Sequence, residues 1–241
     1  MTITEIQTRL QELGFNPGEI DGVWGRQTIA AVKLFQTTRG LKPDGIVGPL
    51  TARVLAGKGL VVDPATDKPE AVERPPLVWF EEALNLIGTK EKKGTGSNPV
   101  IINWAEKCNI DYKSDDIPWC GLFVAHCIGS TLPEETLPRG PLGARNWLQF
   151  GQPCKPMKGA ILVFWRGDRN GPFGHVGFYR GEEKGAGGAY HVLGGNQSDS
   201  VNTCRIAKSR LLGARWPRSA ASLSGEVVIA KGKGPLSHNE A

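Results

Sequence analysis

Residues 116–127 read DIPWCGLFVAHC, and the order of residue types there decides what surrounds them. Pro118 closes the preceding loop and suits a first helical turn, while Leu122, Phe123, Val124, Ala125 and Ile128 leave the following turns apolar on nearly every side. Such a helix is expected to be buried, at the centre of a domain. Cys120 then sits at its N-terminus. Unpaired backbone N–H groups and the helix dipole favour thiolate there, lowering a cysteine pKa from about 8.5 toward the range where sulfur attacks carbonyls at neutral pH. Cys127 lies two turns deeper, and Cys108, Cys154 and Cys204 have no helix start beside them. These four are read as packed thiols.

A thiolate nucleophile needs an imidazole to share its proton and later protonate a leaving amine. His126 lies on the same helix and points elsewhere; His191 is flanked by strand residues, and His238 lies near the chain end. His175 is placed differently. The segment 159–165 (GAILVFW) reads as a strand, followed by a polar Gly-rich turn and a second strand, 174–179 (GHVGFY), which opens with His175. His175, Gly177 and Tyr179 share one face, and Gly177 leaves room beside the imidazole. A third strand, Tyr190 to Leu193, runs into GGNQSD. A polar residue there can hold the imidazole in its working tautomer: Asn196 is the first candidate, with Asp199 and Gln197 behind it. Trp119 and Trp165 are candidate substrate contacts, although each, like Trp147, also suits a core.

The N-terminal part contains an internal echo. Residues 21–28 (DGVWGRQT) and 44–51 (DGIVGPLT) share D-G-x-x-G-x-x-T. Each Asp-Gly makes a tight turn, and each Thr stands where a helix N-cap is wanted. Ile3, Ile6, Leu10 and Leu13, then Ile29, Val32 and Phe35, recur at helical spacing, which predicts three helices joined by two turn-loops. Asp21 and Asp44 are the candidate ligand contacts of these loops.

Between these parts, AGKGLVVDPATDKPEAVERPP reads as an extended, solvated linker. The expected domains are 1–57, a linker at 58–76, a larger domain at 77–218 and a tail at 219–241 with one short strand at Glu226 to Ala230. The 32 Gly and 17 Pro among 241 residues fit a folded, loop-rich protein. The net charge of +5 comes from scattered residues, without the clustered basic and aromatic side chains of a nucleic-acid binder. The longest apolar run, Ala160 to Trp165, is far below the roughly 18 residues of a membrane span. Five cysteines, odd in number and without a C-x-x-C pair, argue against a disulfide framework and a zinc site. No metal and no cofactor are expected.

Two resemblances add to this reading. With D-G-x-x-G-x-x-T, A-V-x-x-F-Q (Ala31 to Gln36) and G-L-x-x-D-G (Gly40 to Gly45), residues 1–56 resemble the small peptidoglycan-binding domain of bacterial and phage wall hydrolases. The motifs PWCGLFVAHC, GAILVFWRG, GHVGFY, VLGGNQSD and KSRLLGARWP, with Gly88, Glu91, Gly94 and Asn98-Pro99 upstream, resemble the papain-like CHAP and NlpC/P60 wall hydrolases across residues 77–217. The implied fold is α+β: a small three-helix wall-binding domain, then a papain-like domain with a central helix packed on an antiparallel sheet. The implied activity is cleavage of a peptidoglycan amide bond, by a muramoyl-L-alanine amidase or a stem-peptide or cross-bridge endopeptidase, with Cys120, His175 and Asn196 at the family positions. One departure is visible: many CHAP domains carry glutamate two residues before the asparagine, and here Gly194 stands there. The implied partner is peptidoglycan, without nucleic acid or membrane insertion, for a monomer made in the cytoplasm without a signal peptide and acting at the wall. Phage lysis is the first context; an injected antibacterial toxin or a particle-borne hydrolase would share the chemistry. The alternatives from other classes are a non-catalytic wall-binding protein and an acyltransferase using the same residues.

Overall fold

The computed structural model describes residues 1–57, 77–185, 187–220, 227–232 and 235–237. The chain divides into two compact units, Met1–Val78 and Trp79–Ala241. The expected linker at 58–76 lies outside the described residues, as do parts of the expected tail.

In the first unit, α1 (Ile3–Glu12), α2 (Arg26–Thr38) and α3 (Pro49–Leu55) follow the apolar spacing. A capping box starts α1: the Thr2 hydroxyl accepts from Glu5 N, and the Glu5 carboxylate accepts from Thr2 N. Ile6, Leu10, Trp24, Ile29, Val32, Phe35 and Leu55 form the core. The sequence echo is a structural repeat whose organiser lies outside it. Gln7 and Gln36 are each 1% exposed, and each side-chain amide closes one Asp-Gly loop. Gln7 Nε2 donates to Asp21 Oδ1, the carbonyls of Glu19 and Val23 and the Thr28 hydroxyl, while its Oε1 accepts from Gly22 N. Gln36 repeats this with Asp44 Oδ1, the Ile46 carbonyl, the Thr51 hydroxyl and Gly45 N. Thr28 and Thr51 are therefore not N-caps. Gly25 and Gly48 hold those positions, and the threonines, three residues further on, turn their hydroxyls to the glutamines.

Replacing Gln36 by Ala would strand several loop partners, each worth about 1–3 kcal/mol when buried and unmet. We expect the first unit to lose about 2–3 kcal/mol in Gln36→Ala, read as an earlier unfolding transition of that unit in the full chain; an unchanged transition would refute the clamp.

The second unit contains α4 (Val78–Asn85), α5 (Pro99–Lys107), α6 (Cys120–Thr131) and a 3-10 helix, Ala144–Gln149. Strands β1 (Gln152–Pro153), β2 (Ile161–Trp165), β3 (Gly174–Glu182), β4 (Ala189–Gly194), β5 (Asn202–Ala207) and β6 (Leu211–Trp216) form one antiparallel sheet in the order β1-β6-β2-β3-β4-β5. The three strands read from the sequence are its middle. Helix α6 is buried from Cys120 to Ile128, as its all-round apolar character requires. It packs on β3 and β4, with Phe123 against Phe178, and on α5. Its N-cap is Trp119, so Pro118 stands just before the cap, two residues ahead of the first helical position, and not in the first turn. Within the apolar layer, His126 Nε2 meets Glu82 Oε1 at 3.1 Å, with Trp104 stacked on the imidazole. Beyond β6, Val228 O accepts from Glu182 N and Ala230 N donates to Glu182 O, so the described part of the segment expected as a short strand pairs with the end of β3.

Candidate active site

Cys120 opens α6, and what packs on that first turn is set by glycine. A methyl group at Gly121 would lie 2.2 Å from the Pro141 carbonyl oxygen and 2.6 Å from that of Leu142, so the returning chain presses its backbone onto the helix start. We expect Gly121→Ala to cost about 1–3 kcal/mol, because backbone rather than a side-chain tip must move. It should also lower Cys120 reactivity toward a small alkylating agent; a variant unchanged in both would show that the contact has slack.

His175 is the second residue of β3, 2% exposed and paired in register with Phe164 on β2. Its Nε2 lies 3.0 Å from Gln197 Oε1. Gln197 is the third-ranked of the three polar residues read as possible orienting groups. Asn196, the first-ranked, is also buried and forms the corner of the β4 exit with φ 52°. Asp199 is exposed, with φ 58°, and its carbonyl accepts from Glu91 N.

The two glycines preceding Asn196 bring these parts together. A methyl group at Gly194 would lie 2.7 Å from Gln197 Oε1 and 3.0 Å from His175 Nε2. One at Gly195 would lie 2.6 Å from Phe123 Cβ and 2.6 Å from the Trp119 ring. The imidazole–amide pair therefore packs on one glycine, and the first turn of α6, which carries Cys120, packs on the next. The absence of glutamate at position 194 has a physical reason: the Gln197 amide occupies the space a side chain there would need.

Trp119 and Trp165 fare differently as substrate contacts. Trp119 is fully buried; its Nε1 donates to Glu91 Oε1 at 2.5 Å and its ring lies against Trp104, so it offers no stacking face. Trp165 is half-buried, with the Arg210 guanidinium over its ring and its Nε1 on the Ser209 carbonyl. Asp21 and Asp44 are exposed, but each Oδ1 is turned inward to a glutamine and to a backbone N–H two residues on. Forming the loop is their visible task.

Carboxylates gather around Tyr112, near the start of α6. Burial, with Asp199, Asp115 and Asp116 adding to it, holds the Glu91 carboxyl above its usual range despite the Trp119 bond. Burial also works against charge on Asp115, but the N–H groups of Asn98 and Lys92 outweigh it and keep that carboxyl below its usual range. Tyr112, whose hydroxyl donates to the Ile117 carbonyl, is pushed upward by burial, then by Asp115, Glu91, Asp116 and Cys120.

None of the five cysteines is in a disulfide. Burial pushes Cys127 well upward, with Glu82 and Cys108 adding to it, and pushes Cys154 up to about 11 against the pull of Arg215. Neither is a thiolate at neutral pH. Cys204, read as a packed bystander, donates instead to Gln197 Oε1 at 3.1 Å. Nothing in the polar text of β5, NTCRIA, signals that contact. Among the described residues, no group of three or more His, Cys, Asp or Glu side chains is arranged to hold a metal ion, and no helix is long and apolar enough to cross a membrane.

Comparison with known proteins concerns the first unit. Residues 2–55 match the family described as "Putative peptidoglycan binding domain". The chain is 59% identical over 39 residues to an uncharacterized protein of Kitasatospora aureofaciens, covering 16% of this chain and 33% of that one. It is 47% identical over 53 residues to the N-acetylmuramoyl-L-alanine amidase CwlM of Mycobacterium tuberculosis, covering 22% and 13%. It is 47% identical over 47 residues to a spore cortex-lytic enzyme of Halalkalibacterium halodurans, covering 20% and 14%. The chain thus spans a third or less of these relatives, within the binding domain. No solved structure matches it. The chain carries an N-terminal peptidoglycan-binding domain, followed by a mixed helix and antiparallel-sheet unit.

Proposed function

We propose that the chain is a peptidoglycan hydrolase whose second unit, a papain-like domain of the CHAP and NlpC/P60 kind, cleaves a wall amide with Cys120 as nucleophile and His175 as proton carrier. The observation that carries this reading is the shared diglycine. Cys120 starts a buried helix whose first turn packs on Gly195, and His175, held by an amide, packs on Gly194. The peptidoglycan-binding domain supplies the substrate class.

The chemistry follows from these residues. The Cys120 thiolate adds to the amide carbonyl carbon while backbone N–H groups at the helix start stabilise the oxyanion. The C–N bond then breaks, the amine leaves with a proton from His175, and a thioester remains. Water, deprotonated by His175, adds to the thioester, and the C–S bond breaks to release the acid and restore the thiolate. The first unit raises the local concentration of catalyst at an insoluble substrate. Asp21 and Asp44 contribute by shaping its loops, and phage lysis is the context we favour.

Incubating the full chain with purified peptidoglycan and identifying the released fragments by mass spectrometry tests this. New amino termini paired with new free carboxyl groups, on stem peptides or on the muramoyl lactyl group, produced by the parent and not by Cys120→Ser, are expected. Wall retention without release would support a wall-binding protein instead, and transfer to an added amine in place of water an acyltransferase.

A further inference from the structure

We propose that Gln197 is the residue that positions His175, and that it does so by fixing the ring proton on Nε2, so that Nδ1 is the nitrogen available to the Cys120 thiol. The inference rests on the Cys–His reading above and adds which atom acts and what holds it.

Gln197 is 2% exposed, and its amide has only one sensible orientation. Nε2 faces three acceptors: the Asn202 carbonyl at 2.6 Å, Asn202 Oδ1 at 3.1 Å and the Val192 carbonyl at 3.3 Å. Turning the amide over would set its oxygen against all three. Oε1 therefore faces His175 Nε2, and an amide oxygen can only accept, so the imidazole must donate there. A neutral ring with its proton on Nε2 carries its lone pair on Nδ1.

The amide is itself held from several sides. Cys204 donates to the same oxygen. Gln197 N donates to the Ser200 carbonyl, and the Gln197 carbonyl accepts from Asn202 Nδ2 and from the Ser200 hydroxyl. Asn202 and Cys204 belong to β5, so the edge strand anchors the imidazole through one glutamine. The empty volume at Gly194 is what lets the amide reach it.

Two measurements test this, neither of which uses peptidoglycan, so inactivity on walls would sink the hydrolase reading without touching this one. The first is 15N NMR of the histidine rings in the full chain carrying Cys120→Ala, above the titration of the imidazole, with His175 assigned by its loss in His175→Ala. A pyrrole-type Nε2 and a pyridine-type Nδ1 are expected, shifting toward a tautomer mixture in Gln197→Leu. The opposite tautomer in the protein with Gln197 intact would overturn the proposal, whatever Gln197→Leu does to folding.

The second is the rate at which iodoacetamide alkylates Cys120, followed on its own peptide. Gln197→Leu keeps the volume and removes the acceptor, and should slow the reaction about 10- to 1000-fold, the range expected for a misheld base. Asn196→Gly removes the other amide while keeping a left-handed backbone, and should stay within about threefold. Slow alkylation in Asn196→Gly with a normal rate in folded Gln197→Leu would transfer the role to Asn196.

Discussion

Wall hydrolysis by Cys120→Ser is expected to fall at least about 10³-fold, an increase of about 4 kcal/mol in the barrier, with the fold intact. A serine hydroxyl would remain protonated where the proposed mechanism needs a thiolate, and a helix start that favours an anion gives little help to a neutral oxygen. His175→Ala should fall to the same floor, because the leaving amine then has no proton donor. The two losses should not add. Residues that act as one unit cost about as much singly as together, so Cys120→Ser with His175→Ala should be no slower than either alone. Cys127→Ala and Cys154→Ala should retain most of the parent rate, since burial holds both thiols in the neutral form. Initial rates on purified peptidoglycan, with circular dichroism as the folding control, check all four. An active Cys120→Ser chain would end the thiol mechanism, and additive losses would mean that the two residues serve separate steps.

The parts of the site that were legible from sequence are those where one periodicity runs uninterrupted. DIPWCGLFVAHC is apolar around a full helical circumference, which requires burial and places Cys120 at the start. GAILVFW and GHVGFY carry enough β-branched and aromatic residues to be read as paired strands, and Phe164 indeed pairs with His175. The reading fails where periodicity is broken by the backbone. Asn196, Ser198 and Asp199 have φ of 52°, 50° and 58°, so side chains at the β4 exit do not alternate, and it is Gln197 that is seen reaching the imidazole. Gln7 and Gln36 were missed for another reason. A polar residue on a helix is read as facing water, whereas these two are buried because each satisfies a whole loop. β5 was invisible because half-exposed positions at a sheet edge do not need an apolar pattern.

His126, on the helix that carries Cys120, has a large effect of a structural kind. The ring is 2% exposed, its Nε2 meets Glu82 Oε1 at 3.1 Å, and Glu82 is 1% exposed on α4. The two residues join α4 to the helix that carries Cys120. Among the described residues, His126 Nδ1 has no hydrogen-bond partner. That favours the neutral ring, because an unmet lone pair costs less than an unmet N–H donor in a site closed by Trp104. The pair is therefore asymmetric. Removing the imidazole strands a buried carboxyl, whereas Glu82→Gln leaves a neutral acceptor oxygen of the same shape facing Nε2. His126→Leu should cost about 3–5 kcal/mol, and Glu82→Gln only about 1 kcal/mol. For a unit of this size the larger loss lowers the melting temperature by about 10 °C. Replacing both, as Glu82→Met with His126→Leu, should recover most of the loss, since apolar side chains of similar volume satisfy the same space without a buried charge. Calorimetry of the parent, the two single variants and the double variant gives the cycle directly. Equal losses in the two singles would mean that the ring is charged in the folded protein, and a double variant as weak as His126→Leu would mean that packing against Trp104, rather than the stranded carboxyl, sets the cost.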